Sequence, residues 1–416
     1  MPRNAVESTS SQLDAGPLAG IHVIECGEGV AAAFATKLVA LLGAHVVKVE
    51  PPQGDGVRWQ GPFFDDQIDR DQSGLFLYLN AGKHGVTLDL HSPSDRERLD
   101  ELLDGADALV HNILPVDRAA VRMQSGALHD AHPDLIVTAI SPFGEFGPRA
   151  HYRAYELNMA HSGGVAAVAP LCSIFPELPP LKLFGHQAEF QAANHAAFTT
   201  LAALFHRMSH AGGQMIEVSA QECFASMLEL SLIAYSYAGV QTSRLGRRLL
   251  GPWSMLDCAD GKVLLCCIEE HQWLRLVKLM GDPEWAHEEL FKDRFARGRN
   301  VDALSALLGE WTKDWRVNDL VRVAQEKRVP VAPVNRLAAV YADHHLRERD
   351  FFAPLPAADG QRRIVVPARP FISSAMKWTL QRPAPALGED NARWESLKSS
   401  RRKSPDRPGK EPADDA

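Results

Sequence analysis

The chain has 416 residues and a formal net charge of −8, with 45% hydrophobic and 23% charged residues. This is the composition of an ordinary globular protein, which excludes bulk disorder, and the length suffices for two or three domains. The acidic balance gives no electrostatic case for binding nucleic acid or an anionic membrane. No apolar run approaches the roughly 18 residues of a membrane span, and the polar N-terminus lacks the apolar middle of a secretory signal.

Six cysteines are spread over the chain without a CxxC pair or another metal-ligand spacing. In a chain of this length they do not form the framework of a small disulfide-rich protein. The histidines show no acid pairing of the metalloprotease kind. We therefore expect a reduced, cytoplasmic enzyme without a metal site.

Strand and helix patterns alternate over the first half of the chain. Short apolar runs predict strands at 21–26, 45–50, 85–90, 106–112 and 134–141, and helical spacing of apolar residues predicts helices at 32–44 and 95–103. A long alanine-rich helix over 188–208, a strand at 215–220 and a helix over 221–237 follow. Alternation at these spacings is typical of βαβ units, so we predict an α/β fold with a parallel sheet.

The later part of the chain has a different pattern. Glycine- and arginine-rich turns, a hairpin-like segment and short helices predict a smaller α+β domain over 226–330. The larger domain is then discontinuous, with residues 17–225 and 331–392. Residues 1–16 and 393–416 have compositions typical of disorder. A basic cluster in the C-terminal tail could also be a nucleic-acid or targeting patch, although a solvated tail is the favoured interpretation.

A glycine turn follows the first predicted strand. Gly27-Glu28-Gly29-Val30-Ala31-Ala32 fits G-x-G-x-x-A between a strand and a helix, and Glu50 ends the next strand about 20 residues further on. Such a turn can hold a pyrophosphate on the helix N-terminus, with Glu50 on a ribose hydroxyl. It is equally typical of a tight βα turn in any doubly wound domain. The residues alone leave both interpretations open.

Two further positions carry candidate catalytic carboxylates. Glu189 begins the long alanine-rich helix, where the helix dipole and free N–H groups stabilise an ionised carboxylate that could act as a nucleophile. The same position is also explained by simple charge complementarity at a helix end. Tyr155 and Glu156 follow a loop rich in glycine and proline, and such a loop can form a site, although an exposed acid near a loop is common.

Several blocks of the sequence together point to a known family. They are KVEPPQGD, FLYLNAGKHGVTLDLHSP, ALVHNILP, GGQMIEVSAQE and RVPVAPVNRLAAVYADHHLRERDFF, and the likeness extends over about residues 18–391. In this order they resemble the blocks of the family III CoA-transferases (CaiB/BaiF type), which include formyl-CoA transferase, carnitine CoA-transferase and α-methylacyl-CoA racemase. The resemblance implies a Rossmann-like large domain that binds CoA rather than a nicotinamide, and an interlocked homodimer. It implies no cofactor beyond CoA, which enters with the acyl-CoA substrate.

The resemblance also implies the site residues. Glu189 stands at the position of the family's aspartate nucleophile, and Tyr155 and Glu156 resemble a segment whose glutamate lies in the active site of formyl-CoA transferase. The racemases have a histidine where Tyr155 stands, and tyrosine does not readily replace it in proton transfer. Transfer is therefore favoured over racemisation. The implied CoA contacts are Val30, Ala31, Leu88, His91, Asn112, Arg122 and Met123.

Two departures from the family pattern affect the site. The extra methylene of Glu189 displaces its carboxylate by about 1 Å, and a misplacement of that size can cost about 10²-fold in rate. Leu114 stands where the family loop has a basic residue that contacts phosphate.

The sequence predicts an acyl-CoA:carboxylate CoA-transferase that acts through a glutamyl anhydride and a glutamyl-CoA thioester on Glu189. The backbone N–H groups before the helix that carries Glu189 and the Gly163-Gly164 segment are the predicted oxyanion donors. The expected substrates are an acyl-CoA and a small carboxylic acid. The alternatives are an α-methylacyl-CoA racemase or epimerase, a nicotinamide dehydrogenase, and a CoA-binding paralogue without activity.

Overall fold

The fold was obtained as a computed structural model, which describes residues 16–169, 173, 175, 177–245, 250–356, 362–368, 371–376, 378, 380 and 382–398. The strands are β1 His22–Cys26, β2 His45–Glu50, β3 His84–Thr87, β4 Ala108–His111, β5 Ile136–Ser141, β6 Gln214–Ser219, β7 Trp253–Cys258, β8 Gly261–Cys266, β9 Val331–Pro333, β10 Phe352–Pro356 and β11 Arg363–Pro367. The helices of the first half are α1 Ala31–Leu41, α2 Gly74–Asn80, α3 Pro93–Leu103, α4 Ser125–Ala131, α5 Glu156–Ser162, α6 Val165–Val168, α7 Gln187–Arg207, α8 Ala220–Ala225 and α9 Glu229–Ala238. Those of the second half are α10 Glu270–Leu279, α11 Arg294–Arg299, α12 Val301–Thr312, α13 Val317–Glu326, α14 Leu337–Ala342, α15 His344–Glu348 and α16 Trp394–Leu397.

The central element is a parallel sheet in the order β3-β2-β1-β4-β5-β6. Its inner strands are largely buried; β4 and β5 are buried along their whole length, as expected for strands covered on both faces. The predicted α/β class with a Rossmann-like parallel sheet is confirmed. Since β2 and β3 lie on one side of β1 and β4 to β6 on the other, the sheet has a topological switch point between β1 and β4.

The helix predicted over 221–237 is two helices, α8 and α9. Ser219 begins α8, where its hydroxyl accepts a hydrogen bond from the Glu222 amide at 3.3 Å. At the other end of α8, the Ser226 hydroxyl donates to the Cys223 carbonyl at 2.8 Å. A serine side chain that bonds the backbone in this way competes with the helical pattern, which explains an interruption that apolar spacing does not reveal.

The described residues divide into two compact units. One holds residues up to 165, then 182–232, and the chain from 351 onward; the other holds 166–181 and 233–350. The smaller unit contains an antiparallel sheet in the order β7-β8-β9. Strand β9 pairs with β8, and residues 331–350 group with the smaller unit, whereas the sequence placed the end of that unit at 330. The larger unit is discontinuous.

The chain end that the sequence assigns to a disordered tail is partly folded. Trp394 and Leu397 of α16 are 8% and 3% exposed and pack in the apolar cluster beside the sheet. The Trp394 indole donates to Glu101 at 3.1 Å, and the Arg98 guanidinium lies 4.1 Å from its ring centroid. The expected disorder therefore does not extend over α16, because these two apolar side chains are buried in the core of the larger unit. Residues 1–15 and 399–416, where the remaining expected disorder falls, lie outside the described residues.

Candidate active site

A cavity of about 550 Å³ opens at the carboxyl ends of β1, β2 and β4, where the sheet has its switch point. Ligands of doubly wound folds bind in this place. Of the residues expected to contact CoA, Leu88, His91 and Asn112 line it, and so does Leu114. Position 114 therefore faces the cavity with an aliphatic side chain and offers no positive charge there.

The other residues expected to contact CoA lie outside the cavity wall. Val30 and Ala31 are 1% and 5% exposed at the start of α1, which no side chain caps. Met123 is buried, with its sulfur 3.5 Å from Arg96 Nη1. Arg122 is exposed and has a φ of 53°. A role of these four residues in binding CoA stays a prediction.

The glycine turn is held against the loop after β4 by one amide side chain. Asn112 Oδ1 accepts a hydrogen bond from the Glu28 amide at 3.1 Å, and its Nδ2 donates to the Glu28 carbonyl at 2.6 Å. A Cβ at Gly27 would lie 1.9 Å from Asn112 Oδ1, so a larger residue would displace this amide and break its bonds to the turn. Gly29 has a φ of 82° and donates to Asp55 Oδ1 at 3.0 Å. The two glycines are thus required by close approach and by backbone conformation.

Glu50 has a structural partner that occupies its carboxylate. Arg58 donates to both Glu50 oxygens at 2.7 Å, and the Asp55 amide donates to Oε2 at 3.0 Å. The carboxylate is buried in this bidentate pair. Glu50 lines the cavity, but its carboxylate oxygens are bonded to Arg58 and Asp55, which disfavours the role of ribose ligand on which the dehydrogenase alternative depended.

A buried ion network lies behind the glycine turn. Glu25 accepts hydrogen bonds from Lys48 at 2.7 Å, Lys83 at 2.8 Å and the Thr36 hydroxyl at 2.6 Å. Lys48 also donates to Asp55 at 2.9 Å and to the Gly27 carbonyl at 3.3 Å. Burial by itself would raise the pKa of Glu25, but the two ammonium groups lower it to about 2. The Glu25 carboxylate therefore stays ionised, while burial lowers the pKa of Lys83 to about 8. The network connects the sheet core to the turn.

The predicted nucleophile lies beside this turn. Glu189 is in the first turn of α7, with a side chain that is one-fifth exposed. Its Oε1 lies 3.5 Å from the position of a Cβ at Gly29. Helices α1 and α7 pack together, with the Phe34 and Phe190 rings edge to face at 4.7 Å. This packing brings together two positions that are far apart in the sequence.

Glu156 caps the helix that carries Glu189. Its carboxylate accepts hydrogen bonds from the Ala188 amide at 2.9 and 3.1 Å and from the Glu189 amide at 3.2 Å. An acceptor in this place satisfies the free N–H groups of the first turn and interacts favourably with the helix dipole. Tyr155 precedes it with a ring that is 84% exposed.

A role of the predicted oxyanion donors stays a prediction, and several amides at or near these places already have acceptors. The amides of Ala188 and Glu189 are bound to Glu156. Gly163 and Gly164 donate to the carbonyls of Met159 and His161 at 2.9 and 3.0 Å. Each of these N–H groups already has an acceptor, because a helix end recruits partners for its unpaired backbone groups.

Sequence reasoning assigned no role to His186, which contacts the nucleophile directly. His186 Nδ1 lies 2.7 Å from Glu189 Oε2. The hydrogen bond to Glu189 raises the pKa of His186; burial opposes it, and the charges of Glu189 and Glu156 add to it. The i, i+3 spacing at the start of a helix was the available signal, since residues so spaced are neighbours on one face.

Replacing Glu156 by alanine is expected to destabilise the protein by about 0.5–2 kcal/mol, because α7 loses the acceptor that caps its first turn. The shift of the denaturant midpoint measures this. Glu222→Ala is the matched control, since Glu222 is an exposed acid in the first turn of α8. Equal midpoints for the two variants would contradict the capping role.

Among the described residues no group of three or more His, Cys, Asp or Glu side chains could hold a metal ion. Within the same residues no helix is both long and apolar enough to cross a bilayer.

A doubly wound sheet, a cavity at its switch point and a carboxylate beside the glycine turn define an α/β enzyme. The sequence model of CoA-transferase family III matches residues 18–391. The chain belongs to this family and is a CoA-transferase, so the resemblance read from the sequence blocks is confirmed.

The chain is similar to curated CoA-transferases over most of its length. It is 28% identical to a succinate–glutarate CoA-transferase of Agrobacterium fabrum (90% of this chain, 94% of the relative). It is 29% identical to a succinyl-CoA:mesaconate CoA-transferase of Haloarcula marismortui (89% and 92%). Identity is 30% with an acetyl-CoA:oxalate CoA-transferase of Acetobacter aceti (77% and 81%). Among solved structures, a CaiB/BaiF family protein from Brucella suis superposes with a TM-score of 0.81 at 27% identity, covering 92% of this chain and 99% of that one.

Proposed function

We propose that this protein is an acyl-CoA:carboxylate CoA-transferase with Glu189 as its nucleophile. The observation that carries the proposal is the placement of the Glu189 carboxylate against Gly29, in the turn that borders the cavity. The names of the curated relatives pair succinyl-CoA or acetyl-CoA with a carboxylic acid. They support the same two substrate classes here.

The proposed reaction transfers CoA from the donor acyl group to the acceptor acid through covalent adducts on the Glu189 carboxylate. Glu189 Oε1 attacks the thioester carbon of the donor, and the C–S bond breaks to give a mixed anhydride and CoA thiolate. The thiolate then attacks Cδ of Glu189, which releases the donor acid and leaves a glutamyl-CoA thioester. The acceptor carboxylate attacks that thioester at Cδ and expels CoA thiolate to give a second mixed anhydride. The thiolate finally attacks the acceptor acyl carbon, which releases the new acyl-CoA and regenerates the Glu189 carboxylate. Each step makes one bond and breaks one, so the thioester energy is preserved without a redox step.

The cavity is the proposed place for part of the CoA molecule, with Leu88, His91 and Asn112 as contacts. Its walls include the carboxylates of Glu28 and Asp89. Carboxylates accept hydrogen bonds from hydroxyl and amino groups and repel phosphates. This supports a fit to the uncharged parts of CoA. No cofactor beyond CoA enters the proposed reaction, and this stays a prediction.

The racemase alternative has less support. Exchange of an α-proton with inversion needs an acid and a base on opposite faces of the carbon. His186 and Glu189 are hydrogen-bonded to each other and so lie on one side. Incubation of an α-methylacyl-CoA in deuterated water tests this function, because α-deuteration without any acceptor acid would support it over transfer.

We also propose a homodimer. Large apolar side chains are exposed along α7 and α9; these are Phe198 (69%), Phe205 (75%), Met208 (82%), Leu230 (75%) and Tyr237 (91%). Exposed apolar surface of this kind marks an interface. Light scattering should give twice the chain mass of 45.7 kDa. The interlocked arrangement and the cytoplasmic location stay predictions from the resemblance and the composition.

Chemical trapping tests the nucleophile. The protein is incubated with an acyl-CoA and then treated with hydroxylamine or borohydride, and the modified peptide is located by mass spectrometry. The expected product is a hydroxamate or an alcohol at Glu189. Modification of another residue, or transfer without any modification, would overturn the assignment.

A further inference from the structure

The proposed transfer needs a hydrogen-bond donor at the carbonyl oxygen that forms on Glu189. When CoA thiolate attacks Cδ of the Glu189 anhydride, negative charge develops on the Glu189 carbonyl oxygen. A donor aimed at that oxygen lowers the barrier, and removal of one such donor typically costs about 10²–10³-fold in rate. The amides nearest in the chain, of Ala188 and Glu189, are bound to Glu156.

We propose that His186, through Nδ1–H, is the donor to the carbonyl oxygen of the anhydride and the thioester on Glu189. The proposal rests on Glu189 as nucleophile. It makes His186 a catalytic residue in contact with a reacting atom, in addition to orienting the carboxylate.

The hydrogen bond decides which Glu189 oxygen reacts. An ionised carboxylate only accepts, so Nδ1 must carry the proton in the 2.7 Å contact with Oε2. Oε1 faces Gly29, and no hydrogen bond to it occurs among the described residues. Oε1 is therefore the attacking atom and becomes the bridging oxygen of the anhydride, while Oε2 becomes the carbonyl oxygen.

The same donor then serves the second step. As the C–S bond to Cδ forms, the carbonyl electron pair moves onto Oε2, which His186 already contacts. The pair returns when the bond from Cδ to the bridging oxygen breaks and the donor acid leaves. The step moves no proton, so the histidine donates a hydrogen bond throughout and needs no regeneration.

The loop before α7 presents the imidazole in a fixed position. Lys182 Nζ donates to the carbonyls of Leu183 and Gly185, and Gln187 Nε2 donates to the Phe184 carbonyl at 3.1 Å. The charged groups facing His186 are Glu189 and Glu156, which raise its pKa, and Lys182, which lowers it. The two carboxylates favour the protonated ring, and a charged donor forms the stronger hydrogen bond.

Three variants test the proposal through the rate of label formation on Glu189. His186→Ala should slow formation of the glutamyl-CoA thioester on Glu189, followed as the intact mass of the acid-quenched protein, about 10²–10³-fold with little change in KM. His186→Gln, which keeps an N–H donor, should recover at least about tenfold of that loss. The matched control is His195→Ala on the same helix, where Nδ1 only contacts the Gln191 carbonyl and the rate should not change.

The measured rates of the variants decide whether His186 is the donor. An alanine variant within about threefold of the wild-type rate, or a glutamine variant as slow as alanine, would overturn this role, since one donor is worth far more. Should His186→Ala not fold, His186→Met replaces it as the variant without a donor. Absence of label on Glu189 in the wild-type protein would instead refute the proposed nucleophile, so the two failures are distinguishable.

Discussion

Replacing Glu189 by glutamine is expected to lower the kcat of CoA transfer by about 10⁴-fold or more, because an amide cannot form the anhydride. The side chain keeps its size and its place beside Gly29, so the substitution tests the carboxylate rather than the packing. Isotope exchange between labelled CoA and acyl-CoA measures the residual rate. The trapped adduct should disappear with the activity.

Two further variants serve as a control and as a graded change at the same position. Glu222→Gln, an exposed acid at the start of α8, should leave the rate unchanged. Glu189→Asp withdraws the carboxylate by about 1 Å and should cost about 10²-fold. Transfer by Glu189→Gln at more than about one hundredth of the wild-type rate would be incompatible with a nucleophilic role, given what a lost nucleophile costs.

Replacing Glu25 by alanine is expected to destabilise the protein by about 3–5 kcal/mol, because two ammonium groups are left buried without their shared partner. Lys48 and Lys83 both have fully buried side chains in contact with Glu25. The change in denaturant midpoint measures the loss. Glu97→Ala, an exposed acid on α3, is the control and should change the midpoint little.

The lowered pKa of Glu25 also predicts that the stability of the protein falls at acid pH. The pKa of Glu25 falls from the ordinary 4.5 to about 2 in the fold. Its contribution is therefore complete above about pH 4.5, where the unfolded state is also ionised, and is lost as the pH falls toward 2. Midpoints measured across this range should fall more steeply for the wild-type protein than for Glu25→Ala. Parallel curves would contradict the assignment.

Local patterns in the sequence were enough to predict the sheet and the helix that carries the nucleophile. The apolar run at 45–50 matches β2, and the alanine-rich helix expected over 188–208 is α7, Gln187–Arg207. Both depend on periodicity and burial, which neighbouring residues determine. Local position marked Glu189 and Glu156 as candidate carboxylates with equally ordinary explanations, and the family blocks favoured them as site residues.

The contacts of those residues could not be read from the same patterns. The pairing of Asn112 with the glycine turn, of Arg58 with Glu50 and of Glu156 with α7 each joins groups from separate elements. An acid at the start of a helix and an acid in a loop look equally available in a sequence. Only the structure shows that Glu156 is committed to the helix end, whereas Glu189 keeps one carboxylate oxygen open beside Gly29.

The net charge of −8 likewise separates what the sequence determines from what the tertiary structure determines. Composition excluded binding by bulk attraction to polyanions, and that conclusion needed no fold. Where the charges act was decided by tertiary structure, which buries Glu25 and Glu50 against lysine and arginine partners and leaves Glu28 and Asp89 on the cavity wall. The reason is physical: local sequence sets periodicity and burial tendency, while ion pairs and site geometry depend on which distant segments pack together.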